Sequence, residues 1–189
     1  MKTKVINIVG GPGAGKSTIA SGVFNLLKMN RKNAELVNEY PKSLVWEERK
    51  KTFDDSLYLF AKQAHIQYSI NGKVDYMVTD RPLIMSNMYH NFWMAKDWPE
   101  EWNNAFYEMV KTTWDLYDNQ VYLINRCIPY EVNGRNENEE EAKSQDKLTK
   151  KWLDDYGIDY IVVDGDDQAH FKIYDDIVKK EEGRNIPIV

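Results

Sequence analysis

The strongest chemical signal in the chain is the run Gly10-Gly11-Pro12-Gly13-Ala14-Gly15-Lys16-Ser17. It fits the spacing G-x-x-x-x-G-K-[ST], follows the apolar run Val5-Ile6-Asn7-Ile8-Val9 and opens an amphipathic stretch, the context in which this motif cradles phosphate. Glycines let the backbone curl until successive N–H groups point at phosphate oxygens, and a helix starting after Gly15 adds the positive end of its dipole. Lys16 reaches the β- and γ-phosphates as a mobile point charge, and the Ser17 hydroxyl is a magnesium ligand. Gly11, Pro12, Gly13, Ala14, Gly15, Lys16, Ser17 and Thr18 are therefore expected to bind a nucleoside triphosphate with Mg²⁺.

Three further groups of residues each follow a predicted strand, the end at which open α/β sheets bind ligands. Glu39-Tyr40-Pro41 offers a carboxylate able to accept the proton of an attacking hydroxyl; the plainer alternative is a surface glutamate before a proline turn. Asp80-Arg81-Pro82 offers an acid to hold the magnesium shell through water and an arginine to clamp the acceptor or a phosphate; the alternative is a turn with a local ion pair. Arg126, with Arg135 in the turn Asn133-Gly134-Arg135, supplies two cations on a flap that could close over a triphosphate, or else plain loop charge.

Short apolar runs alternate with longer segments of helical period, the pattern of an α/β domain with a parallel sheet. Strands are expected at Lys4–Val9, Glu35–Asn38, Val74–Thr79, Gln120–Asn125 and Tyr160–Val163. A first helix should run from the glycine loop to Met29 with Ile19, Val23, Leu26 and Leu27 inward. A second should be capped by Asp54, bury Leu57, Phe60, Ala61, Ala64, His65 and Tyr68 along one stripe, and stop at Asn71-Gly72. A third should begin near Asn138 and turn Leu148, Trp152 and Leu153 inward before stopping at Gly157. The aromatic segment from Met85 to Tyr117 has Trp102, Phe106, Met109 and Tyr117 at helical spacing; these are expected to fill core, the alternative being that some of the segment's aromatics line a substrate pocket. The expectation is one domain over 1–189, with an acceptor segment at about 85–117 and a flap at about 126–141.

Composition narrows the classes. With 189 residues and 42% hydrophobic positions the chain can build a core, and its net charge of −5 disfavours a uniformly basic nucleic-acid binder. The single cysteine, Cys127, cannot form an internal disulfide. No signal-like or membrane-spanning apolar run is present, so the expected setting is the cytoplasm, without a membrane partner. The acidic run Glu137–Glu141 reads as a helix's first turn, His65 as a core histidine and Cys127 as a buried thiol; His90 and His170 lack partners at zinc spacing.

The glycine loop, Glu39-Tyr40-Pro41 and Asp80-Arg81-Pro82 together resemble the P-loop nucleoside and nucleotide kinases. The likeness is greatest to the branch containing the nicotinamide-ribonucleoside kinase domain of NAD-regulatory proteins, where small phage-encoded ATP-binding proteins share the Arg126…Gly134-Arg135 flap. The resemblance implies a three-layer fold with a five-stranded parallel sheet of order 2-3-1-4-5, and ATP as phosphate donor. It implies Glu39 as base and Asp80-Arg81 as the acid–arginine pair. It also implies Gln63 or Gln67 as the contact to an acceptor base, and Gly165 beside the adenine. Asp-Arg-Pro stands where many deoxynucleoside kinases have Glu-Arg-Ser, so their substrate range does not carry over. Three readings follow: a kinase acting on a hydroxyl of a nucleoside, nucleotide or related small molecule; a kinase acting on a DNA or RNA hydroxyl; and a nucleotide-responsive binding module without phosphoryl transfer.

Overall fold

The computed structural model describes residues 2–130 and 138–184. Five strands form one all-parallel sheet in the order β2-β3-β1-β4-β5, with helices on both sides. The strands are β1 (Lys4–Val9), β2 (Ala34–Val37), β3 (Tyr76–Thr79), β4 (Asp118–Asn125) and β5 (Ile161–Asp164). The helices are α1 (Lys16–Met29), α2 (Tyr40–Trp46), α3 (Ser56–Ile70), α4 (Met85–Trp93), α5 (Glu100–Trp114), α6 (Glu139–Asp155) and α7 (Ala169–Arg184), with 3₁₀ turns at Lys50–Asp54 and Ala95–Asp97. Among the described residues no helix is long and apolar enough to cross a membrane.

The chain divides into two compact units, Met1–Asn7 with Glu35–Gln120, and Ile8–Ala34 with Val121–Val189. In the first, β1 pairs with β3 in the register Lys4↔Tyr76 to Asn7↔Thr79. Every residue of β1 and β3 is buried, as a strand covered on both faces requires, which explains why both read as continuous apolar runs. The polar exception, Asn7, is fully buried and donates to Val5 O and Asn119 Oδ1, both at 3.1 Å. A second polar group sits among α3, α4 and α5. His90 has no exposed surface and lies against Trp102 and Phe106, with ring centroids 5.2 and 4.9 Å away. Asn103 Nδ2 donates to Ala95 O at 2.8 Å, so its Oδ1 accepts from His90 Nε2 at 2.7 Å. That leaves His90 Nδ1 to accept the Ser56 hydroxyl at 2.8 Å.

In the second unit, α1 packs on α7, burying Ile19, Val23 and Leu27 along with Ile173 and Ile177. β4 pairs with β5 from Tyr122↔Ile161 to Asn125↔Asp164. The Tyr122 hydroxyl donates to Asp176 at 2.7 Å. Helix α6 begins with a capping box: Asn138 Oδ1 accepts from Glu141 N, and Glu141 Oε2 accepts from Asn138 N. Its first turn carries Glu139, Glu140 and Glu141, as expected of the acidic run; Glu137 lies outside the described residues.

Several expectations need correction. Asp54 closes a 3₁₀ turn, and Asp55 caps α3 by accepting from Tyr58 N at 2.9 Å. The buried side of α3 is Ser56, Leu59, Phe60, Gln63 and Gln67, while Leu57 is 45% and Tyr68 74% exposed. Ala61 and His65 are exposed too, so His65 is not a core histidine. Ser56 and Gln63 turn inward because His90 and the backbone around Glu39 give them partners, an advantage that outweighs the apolar stripe. Helix α2 forms where a turn is expected at Pro41; a proline in the first helical turn lacks only an N–H that no carbonyl awaits. Met109 and Leu148 are exposed, while Val110, Thr149 and Trp152 take the inward positions. Cys127 is exposed, its thiol against Asn125 O. β2, β3, β4 and β5 differ from the expected limits by one or two residues, Val74 and Asp75 falling before β3.

Candidate functional site

The glycine loop leaves the end of β1 in the second unit and leads directly into α1. Gly13 and Gly15 have φ of 74° and 87°, the left-handed region closed in practice to most side chains, and Gly15 is the N-cap of α1. No side chain caps that helix end, so its first N–H groups are left to the loop and to whatever the loop holds. Ala14 N donates to Gly11 O at 3.3 Å, closing the bend. Lys16 is the first residue of α1, and its ammonium donates to Gly11 O at 2.9 Å, back across the loop. Ser17 and Thr18 are exposed on the same first turn; Pro12 is half-buried and Ala14 buried.

Residues beyond β4 close over this loop within the same unit. A Cβ on Gly13 would lie 2.9 Å from the Tyr130 ring and 3.2 Å from Arg126 Nη1, and one on Gly15 would lie 3.5 Å from Ile128 Cδ1. Arg126, whose side chain is 9% exposed, is not loose loop charge: its Nε donates to Asp146 Oδ2 at 2.7 Å and its Nη2 to Pro12 O at 2.6 Å. Gly165, buried at the end of β5, donates to Asn125 O at 2.8 Å; a Cβ there would sit 3.1 Å from Ala14 O, so it supports the loop from below. Arg135 lies outside the described residues.

The first unit carries the other candidates at the ends of β2 and β3, which are sheet neighbours. Glu39 is half-buried between β2 and α2. Gln63, 2% exposed, holds the backbone on either side of it: Oε1 accepts from Tyr40 N at 2.9 Å, and Nε2 donates to Asn38 O at 3.4 Å. Gln67, one helical turn on, is equally buried, and its Nε2 has no hydrogen-bond partner among the described residues. Beside Gln63's contact, the Tyr40 and Tyr58 hydroxyls lie 2.7 Å apart, which pushes Tyr40 above the usual tyrosine range and Tyr58 below it. Asp80, buried, directly follows β3. Arg81 donates its N–H to Thr79 Oγ1 at 3.1 Å and lays its guanidinium 4.1 Å over the Tyr89 ring, itself stacked on Trp93.

This donor set suits a triphosphate and magnesium. The left-handed glycines form a cradle, and Arg126 Nη1 is a buried cationic donor with no partner among the described residues, which a phosphate oxygen would satisfy. Among the described residues no group of three or more His, Cys, Asp or Glu could hold a metal. Mg²⁺ takes one or two protein oxygens and completes its shell with phosphate and water. Ser17, exposed on the first turn of α1, is an oxygen donor of that kind. Sequence reasoning misses Asp146 and Tyr130: Asp146 meets the loop 135 positions away in sequence, and nothing in its helix marks it except an alanine, Ala142, one turn earlier on the same face.

An all-parallel 2-3-1-4-5 sheet with a glycine loop after its central strand defines the P-loop nucleotide-binding class. Over residues 5–169 the sequence matches the AAA domain family model, and the chain belongs to that family. In structure it is similar to a crystal structure of NadR protein in complex with NR. The TM-score is 0.61 and the identity 19%, over 99% of this chain and 52% of that one. At that identity the likeness is one of fold, and this chain spans about half the length of that protein. No curated protein matches it in sequence.

Proposed function

We propose that the protein is an ATP-dependent phosphotransferase that moves the γ-phosphoryl group of Mg²⁺-bound ATP to a hydroxyl of a nucleoside, nucleotide or related small molecule. One observation carries this reading: Gly13 and Gly15 in left-handed conformation, Lys16 at the start of α1, and beside them Arg126 Nη1, without a hydrogen-bond partner among the described residues. Phosphate handling falls to the second unit. Lys16 exchanges its bond to Gly11 O for phosphate oxygens, and Arg126 offsets charge as it builds on them. Acceptor handling falls to the first unit. Glu39 orients the attacking hydroxyl and takes its proton, Gln63 keeps the Glu39 backbone in place, and Gln63 Nε2, held only at 3.4 Å, is the atom through which it would reach an acceptor. Arg81 steadies the acceptor or its phosphate. Magnesium, held by Ser17 and Asp80, would supply neutralisation of the β- and γ-oxygens. Gly165 and Arg135 are assigned to the nucleotide. The likeness to a NadR protein solved with NR places that ligand in any acceptor panel.

The test of the carboxylate role is Glu39→Gln. General-base help contributes roughly 10²–10⁴-fold, so turnover should fall by about that factor while ATP binding persists. Undiminished turnover removes Glu39 from the mechanism.

A further inference from the structure

The Arg126 guanidinium is fastened on two of its three nitrogens. Nε donates to Asp146 Oδ2 at 2.7 Å, and Nη2 donates to Asp146 Oδ1 at 3.1 Å and to Pro12 O at 2.6 Å. A guanidinium is planar and rigid, so fixing Nε and Nη2 also fixes Nη1. That third nitrogen is buried, has no hydrogen-bond partner among the described residues, and lies 3.2 Å from where a Gly13 Cβ would stand. The same Asp146 carboxylate accepts the Gly11 N–H at 2.9 Å. One acid in the middle of α6 thus grips both the first bend of the glycine loop and the arginine that lies over its middle. Glycine is needed at position 11 for the grip, because a Cβ there would run into the Asp146 carboxylate and come 3.0 Å from Ala142 O.

We propose that Asp146 is a positioning residue for the nucleotide, aiming Arg126 Nη1 at a phosphate oxygen held by the loop. The inference rests on the nucleotide-binding reading above. It makes Arg126 an arginine set in place before ATP arrives, in contrast to one delivered by a flap, and it makes the effect of Asp146→Asn on ATP, with the Gly11 N–H still accepted, pass through Arg126 alone. Asparagine at 146 keeps an acceptor for Gly11 N–H but turns its amide N–H₂ towards Arg126 Nε, so the arginine loses its bidentate hold.

The test is a double-mutant cycle read by calorimetric binding of a non-hydrolysable ATP analogue with Mg²⁺. Arg126→Ala and Asp146→Asn should each weaken binding roughly ten- to a hundredfold, the range for a charge-assisted hydrogen bond to phosphate. The double variant should bind no more weakly than Arg126→Ala. Arg126→Lys, which can still pair with Asp146 but has no fork, should bind as weakly as Arg126→Ala and keeps the test open if Asp146→Asn fails to fold. Free guanidinium at millimolar concentration should restore binding to Arg126→Ala but not to Arg126→Ala/Asp146→Asn, a contrast that a purely structural tie would not produce. Multiplying losses in the double variant, rescue of both proteins, or wild-type affinity in Arg126→Lys overturns the positioning role while ATP binding stands. A wild-type protein that binds no ATP analogue overturns the nucleotide reading and this inference with it.

Discussion

The substitution Gly11→Ala tests how the glycine loop is held. Gly11 does not have the left-handed φ of Gly13 or Gly15, so a methyl there meets no backbone strain of that kind. What it meets is α6: the Asp146 carboxylate, which can swing away, and the Ala142 carbonyl at 3.0 Å, which cannot. If Asp146 swings, it gives up the Gly11 N–H and the two bonds from Arg126. Hydrogen bonds to charged groups contribute about 1.5–3 kcal/mol when buried, and this carboxylate is partly open to solvent. Water takes over most of what the three bonds supplied, so the expected net loss is about that of one such bond, about 1.5–3 kcal/mol, or roughly 3–12 °C in melting temperature for a chain of this size. ATP affinity should fall alongside it, because Arg126 is released. Gly72→Ala is the control. Its Cβ would meet nothing within 4 Å, but its φ is 78°, so it should lose about 1 kcal/mol through backbone strain and bind ATP as before. Calorimetric melts with and without Mg²⁺ and ATP separate the two effects. A Gly11→Ala protein that melts within a degree of wild type and binds ATP unchanged would refute the seating of α6 on the loop.

Two other predictions concern the packing that supports the candidate residues. Burial, and then donation to Asp176, push the Tyr122 hydroxyl well above the ordinary tyrosine value of about 10. Its neutral form is therefore favoured in the folded state, and its contribution is fully present below about pH 10 and lost as pH rises further, because the unfolded chain releases that proton first. Tyr122→Phe should flatten the fall in unfolding free energy between about pH 9 and 11, as followed by urea titration; an unchanged slope would contradict the assignment. Asn103→Ala leaves the His90 Nε2 proton buried without an acceptor and should cost about 1–3 kcal/mol in the same assay. A loss below about 0.5 kcal/mol would mean that the ring finds another partner.

The residues that were legible in the sequence are those whose signal is local. β1 reads correctly to the residue because both faces are buried and its run is unbroken except at Asn7. The glycine loop reads from its spacing, and the start of α6 from Asn138 and the acidic run around it. The inward face of α3 was hidden because its polar members are paired with groups far along the chain: Ser56 with His90, and Gln63 with the backbone on both sides of Glu39. Cys127 follows a buried strand but stands exposed, since the next apolar side chain, Ile128, is the one turned over Gly15. Asp146 is the clearest case. Its neighbours Ser144, Gln145 and Lys147 are polar as well, and only the fold brings its carboxylate to the Gly11 N–H.

The central claim is phosphoryl transfer to a small hydroxyl acceptor. Its most direct test is ADP release from Mg²⁺ and ATP against a panel of nucleosides, mononucleotides, nicotinamide riboside and hydroxymethylated DNA. The account predicts ADP formation that depends on one of the small acceptors and yields its phosphate ester. Tight ATP binding with no ADP formed from any acceptor, or transfer to the polynucleotide alone, would contradict it.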